Sequence, residues 1–156
     1  MAQWSLDLRE YAKKKGVEIK DVQKSYAFAV YASVVKKTPV DTGRARANWN
    51  VSVGHEDTST DDPSAYTTSY RKRQKKNAKE GKKTSRPPAK LKYSDMSSIP
   101  DPNGDESIFI SNNLPYITAL EYGSSQQAPA GMVGVTLANN ERIFDAAVRA
   151  VTGGRQ

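Results

Sequence analysis

Between Lys20 and Lys37 apolar side chains return every three or four residues: Val22, Tyr26, Ala29, Val30 and Val34, widened by Ala27, Phe28, Tyr31 and Val35. That spacing predicts a helix of about four to five turns with a large buried face. Lys36 and Lys37 fall in its last turn, and Pro39 cannot continue it and biases Thr38 away from helical angles. From Arg44 the period changes to two. Ala45, Ala47, Trp49, Val51 and Val53 alternate with Arg44, Arg46, Asn48, Asn50 and Ser52. This predicts a ten-residue strand with one buried and one wet face, Trp49 being its largest contribution to burial.

The joint between them, Thr38-Pro39-Val40-Asp41-Thr42-Gly43, has the makings of a compact turn. Proline fixes one angle, Asp41 can fold back on the backbone, and Gly43 tolerates positive φ. A second strand is expected over Ser107–Ser111, with Ile108 and Ile110 alternating around Phe109. Asn112 or Asn113 can cap a short helix from Leu114 to about Tyr122, with Pro115 in its first turn and Gly123 at its end. A last helix is expected from Pro129, on which Val133, Leu137, Phe144, Val148 and Val151 share a face interrupted by Asn140, with Gly153-Gly154 as its stop. Ser5 to Lys15 reads as a short helix closed by Gly16.

The charge is distributed unevenly. Of 24 basic and 17 acidic residues, eleven bases and one acid lie between Arg71 and Lys92: Arg71, Lys72, Arg73, Lys75, Lys76, Lys79, Lys82, Lys83, Arg86, Lys90 and Lys92, against Glu80. The remaining 13 bases and 16 acids leave the rest of the chain at −3. The picture becomes a single domain over 1–156 carrying an inserted polar and basic arm, 55–100. The arm has no apolar periodicity and cannot form its own core. A loose helix or a hairpin fits it, and disorder in the isolated chain is the default expectation. With 37% hydrophobic residues and a mean hydropathy of −0.73, the core is modest.

Catalytic and metal chemistry find little to build on. There is no cysteine, so thiol nucleophiles, disulfides and zinc-thiolate sites are excluded. The one histidine, His55, lies in a polar stretch, which leaves no serine or threonine a credible histidine base. Neither Gly-rich phosphate loop occurs. Asp101-Pro102-Asn103-Gly104-Asp105-Glu106 resembles a calcium loop only superficially and is read as a turn. Asp61 and Asp62 are adjacent loop carboxylates with nothing to tune them. No catalytic residue, metal or cofactor is expected. The N-terminal residues lack the apolar run of a secretory signal, and no stretch approaches a membrane span.

Two stretches carry a resemblance. Lys37-Thr38-Pro39-Val40-Asp41-Thr42-Gly43-Arg44-Ala45-Arg46 sits at a helix joint. Leu114-Pro115-Tyr116-Ile117-Thr118-Ala119-Leu120-Glu121-Tyr122-Gly123-Ser124 is followed by Gln127-Ala128-Pro129-Ala130-Gly131-Met132-Val133. In order and spacing they resemble the small neck and tail-completion proteins of long-tailed bacteriophages. Those proteins show a TPVDTG-R turn after a long helix, a helix ending in E-Y/F-G-[ST], and an AP-x-G-M opening of the last helix. The resemblance covers about residues 20–54 and 105–150 and leaves the basic arm unaccounted for.

The resemblance implies an α+β protomer, an antiparallel sheet with the long N-terminal helix and the C-terminal helix packed on one face. It also implies a ring, typically of six copies, at the head–tail junction of a virion assembled in the host cytoplasm. Partners would be further copies of the chain and adjacent connector, tail-tube or terminator proteins, with genomic DNA in the channel and no membrane. A tail terminator capping the tube is the alternative within that class, and a small basic nucleic-acid-binding protein the alternative outside it. Pro39, Asp41, Thr42, Gly43 and Arg44, together with Glu121, Tyr122 and Gly123, form the structural motif. The Asp41–Gly43 turn is read as fold punctuation rather than a partner contact. Glu121, at a helix C-terminus where the dipole disfavours a carboxylate, needs a partner, expected in Arg44 or Arg46. For the arm, a solvated flexible loop and a functional element are weighed evenly; among functional uses, contact with an acidic neighbouring protein is slightly preferred over DNA, because a tight grip on DNA would oppose rapid genome ejection.

Overall fold

The structure is a computed structural model that describes residues 10, 13–14, 16–61, 72–82, 91–103 and 106–153. It begins with the long helix expected from the apolar spacing, α1, Ile19–Lys37. Val22, Tyr31 and Val35 are fully buried, and so is Ser25, whose hydroxyl donates to the Ala147 carbonyl at 2.9 Å. The helix is covered on more than one side because it contacts both the C-terminal helix and the sheet. Thr38 closes α1 with an extended backbone, and its hydroxyl donates to Val34 O. Of the Ser5–Lys15 helix, residues 10, 13 and 14 are helical and Gly16 takes φ +64°; the rest lies outside the described residues.

The ten-residue strand is not formed. Gly43 adopts φ +92°, and Arg44–Ala47 make a single helical turn, α2, before the strand β1 runs only from Asn50 to Val53. The alternation of small alanines with arginines over 44–47 is compatible with either geometry. The left-handed Gly43 and the bond from Thr42 Oγ1 to the Arg44 amide select the helical turn. β2, Ile108–Ser111, pairs antiparallel with β1 in the register Val51↔Ile110 and Val53↔Ile108. These side chains face the core with Tyr31, Val34, Val35, Trp49, Ile99, Ala128 and Met132. The other sheet face is only partly covered, with Phe109 37% exposed on it. Asn50 and Ser111 are buried there, bonded to Ser59 O and Asp57 O of the following loop.

A short helix α3, Ile117–Glu121, is followed by α4, Val133–Ala138, and α5, Asn140–Thr152. The expected single last helix is therefore broken at Asn139. Asn139 and Asn140 are weak helix formers, and the Asn140 side chain accepts from Tyr26 Oη while Asn139 Nδ2 bonds back to Val135 O. The break swings Leu137 out of the apolar face, where it is 59% exposed. Gly153, at φ +62°, closes α5 as expected. The chain is α+β: one antiparallel two-stranded sheet, a long N-terminal helix and a C-terminal helix.

The stretch 55–100 is less uniformly an arm than its composition suggests. Residues 57–59 cover the sheet, and 91–99 return to the core. Ile99 is 2% exposed, and Tyr93 stacks edge-on against Tyr31 with ring centroids 5.1 Å apart. Between these ends, residues 72–79 are helical, with exposed side chains except at half-buried Arg73 and Asn77.

Candidate functional site

The two stretches that carry the resemblance are brought together in space. Gln127 reads the backbone of the first: its Oε1 accepts from Val40 N at 3.0 Å and its Nε2 donates to Val40 O at 3.2 Å. Pro39 to Ala45 line one side of a small cavity of about 210 Å³, and Tyr116, Leu120, Ser125 and Gln127 line the other. Gln127 has no periodicity to mark it, and its role was missed for that reason.

Glu121 does have the partner its position demands, but that partner is not an arginine. The carboxylate accepts three backbone N–H bonds of 2.8 Å, from Met132 and Val133 to Oε2 and from Gly134 to Oε1. These are the unsatisfied donors at the start of α4, so Glu121 caps a helix from eleven residues upstream. Burial raises its pKa, and the donors, Gly134 first and then Val133 and Met132, lower it by more, so it titrates below the usual glutamate range. The close fit explains the glycine at 131. It sits at φ +80°, and a Cβ there would lie 2.7 Å from Glu121 Oε1. A Cβ on Gly123, at φ +83°, would come within 2.5 Å of Pro129 O.

The arginines are used elsewhere. Arg46 Nε donates to Thr38 O at 2.7 Å and its Nη2 to Lys36 O, so it satisfies the last carbonyls of α1. Arg44 bonds the Asp61 carbonyl and the Tyr116 hydroxyl; burial raises the Tyr116 pKa and Arg44 opposes the rise. Thr38 Oγ1 accepts from Trp49 Nε1 at 2.9 Å, which ties the largest core side chain to the same joint. Asn48 and Asn50, expected on a wet face, are buried hydrogen-bonding hubs. The Tyr122 side chain of the motif is 85% exposed.

Of the basic positions, Arg71, Lys83, Arg86 and Lys90 lie outside the described residues. Lys92 is part of the body: its Nζ donates to Asn50 Oδ1 at 2.6 Å and its amide to Tyr31 Oη at 2.7 Å. Lys82 pairs with Glu80 at 2.9 Å. Lys72, Lys75, Lys76 and Lys79 are exposed on the helix, and Arg73 is half-buried.

Acidic residues outside the motif serve the fold. Asp101 pairs with Lys24, and Glu106 accepts from Asn103 N at 2.8 Å. Asp95 caps the short 3₁₀ helix Met96–Ser98. Among the described residues no group of three potential metal ligands occurs, and no helix is long and apolar enough to cross a membrane. Comparison with family models, with curated proteins and with solved structures finds no match to this chain.

Proposed function

We propose that the chain is a non-catalytic structural protein of a tailed-phage virion, a ring-forming neck or tail-completion component that joins head and tail around the DNA channel. What supports this reading is the interlock of the two resembling stretches through Gln127 on Val40, with Glu121 on the α4 amides fixing the second stretch internally. Charged side chains at the joint are committed to the fold: Glu121 to three amides, Arg44 to the Asp61 carbonyl and the Tyr116 hydroxyl, and the neighbouring Arg46 to helix-end carbonyls. A scaffold that must fit neighbours on a ring needs such a fixed angle between its long helix and its sheet. The exposed Tyr122 ring, at the rim of this joint, is the side chain suited to a neighbour.

The test is to remove the protein from assembling particles and to image virions carrying a label on it. Heads and tails that accumulate unjoined, with label at the junction in complete particles, would bear the proposal out. Label at the free end of the tail tube would favour the terminator role instead. Properly joined tails in its absence would refute the proposal.

A further inference from the structure

The helix at 72–79 was not demanded by any apolar pattern, yet it has a built stop. Lys82 N bonds Asn77 O at 2.9 Å and Gly81 N bonds Ala78 O at 3.3 Å, with Gly81 at φ +64°. This paired six-to-one and five-to-two closure is the Schellman motif, which fixes where the helix ends. Once residues 72–79 are helical, Lys72, Lys75, Lys76 and Lys79 stand at i, i+3, i+4 and i+7 on one face, and all four are exposed. Arg73 and Asn77, on another side, are half-buried. The segment 72–82 holds six bases and one acid, and that acid, Glu80, is paired with Lys82 beyond the stripe. Four like charges set within about 10 Å repel one another, and a dense array of anions opposite them would relieve that repulsion.

We infer that this lysine face is a contact surface for the phosphate backbone of duplex DNA. An acidic protein is the weaker fit. Protein interfaces take their energy from buried aromatic, apolar or arginine anchors, and the exposed residues of this helix are lysines, Gln74 and Ala78. A single strand is also the weaker fit, since no aromatic side chain lies between 72 and 82 to stack on bases. Lysine is a flexible point charge without arginine's fork for reading base edges, so the contact is sequence-independent. Such a contact works by releasing counterions, is weak at physiological salt, and lets the nucleic acid slide. It therefore does not carry the objection that a tight grip would hold back a moving genome. The assignment deepens the proposed role by naming what the arm touches, but it stands on the helix and not on the ring.

The experiment is fluorescence-anisotropy titration of a 20-bp duplex with the full chain across a salt series. Four phosphate contacts predict a log–log salt slope steeper by about 3.6, equivalent to roughly 100-fold weaker binding between 50 and 200 mM salt. The quadruple variant K72A/K75A/K76A/K79A should lose that part of the slope, the quadruple Lys→Arg variant should keep it, and thermal melting should be unchanged in both. An alanine variant with an unaltered slope would overturn the assignment. So would a single strand bound more tightly than the duplex, or polyglutamate displacing the duplex at equal charge, which would return the arm to an acidic protein partner. Duplex binding by a chain that stays monomeric sustains the assignment while counting against the ring, and a ring that ignores duplex does the reverse.

Discussion

Glu121 shows how much one side chain can hold. Its three amide bonds join α3 to the first turn of α4, and no side chain of another type reaches both oxygens' donors in the same way. Glu121→Gln keeps the shape and removes the charge; it should destabilise the fold by about 1–2 kcal/mol, the range of a helix cap partly screened by solvent. Because the folded pKa is depressed, this contribution is complete above the ordinary glutamate range and disappears as pH falls through the folded value. The difference in melting temperature between wild type and Glu121→Gln should therefore hold constant from pH 7 down to the ordinary glutamate range and shrink only below it. Asp57, Asp95 and Asp101 also titrate low, held by Ser59, Ser97 and Lys24 respectively, but they are common to both proteins and cancel in the difference. Thr38→Val tests the other half of the joint. It leaves the buried Trp49 indole N–H without its acceptor and should cost about 1–3 kcal/mol, read by denaturant unfolding.

At the scale of elements, the sheet among the described residues has two strands, and such a hairpin-sized unit is marginal without cover. The cover comes from segments whose composition reads as loop. Tyr93 Oη accepts from Val51 N and donates to Val51 O, both at 3.0 Å, and so occupies the edge of β1 as a third strand would. Tyr93→Phe should speed hydrogen exchange of the Val51 amide well beyond any global loss of stability, which NMR exchange measures directly. Residues 57–59 do the corresponding job on the far face, where Asn50 and Ser111 are hydrogen-bonded and out of water. The break between α4 and α5 follows the same logic: Tyr26 holds Asn140 at the bend, and its ring meets Phe144 edge-on at 5.4 Å.

For the whole molecule, the division between body and basic helix predicts separable behaviour. Replacing 72–82 with a neutral Gly-Ser segment should shift the melting temperature by no more than about 2–4 °C, because none of the core side chains lies there. The same change should abolish the steep salt dependence of duplex binding. Tyr122→Ala should separate folding from assembly in the opposite sense. Its melting temperature as a monomer should stay within about 2 °C of wild type, since the side chain is 85% exposed, while the oligomer should dissociate at least about tenfold more readily in light-scattering measurements. Unchanged assembly in that variant would remove Tyr122 from the proposed interface.

The sequence by itself determined the elements whose signals are local. The long helix and its proline stop, the Ile108–Ser111 strand, and the left-handed ends at Gly16, Gly123 and Gly153 follow from spacing and backbone sterics within a few residues. It also marked Glu121 as a carboxylate in need of a partner, because the helix dipole is local as well. Only the tertiary structure decided what that partner is, since the donors are amides that every residue carries and no residue type advertises. The same holds for Asn50, polar by composition yet buried, because a polar group can leave water wherever a distant partner replaces its hydrogen bonds.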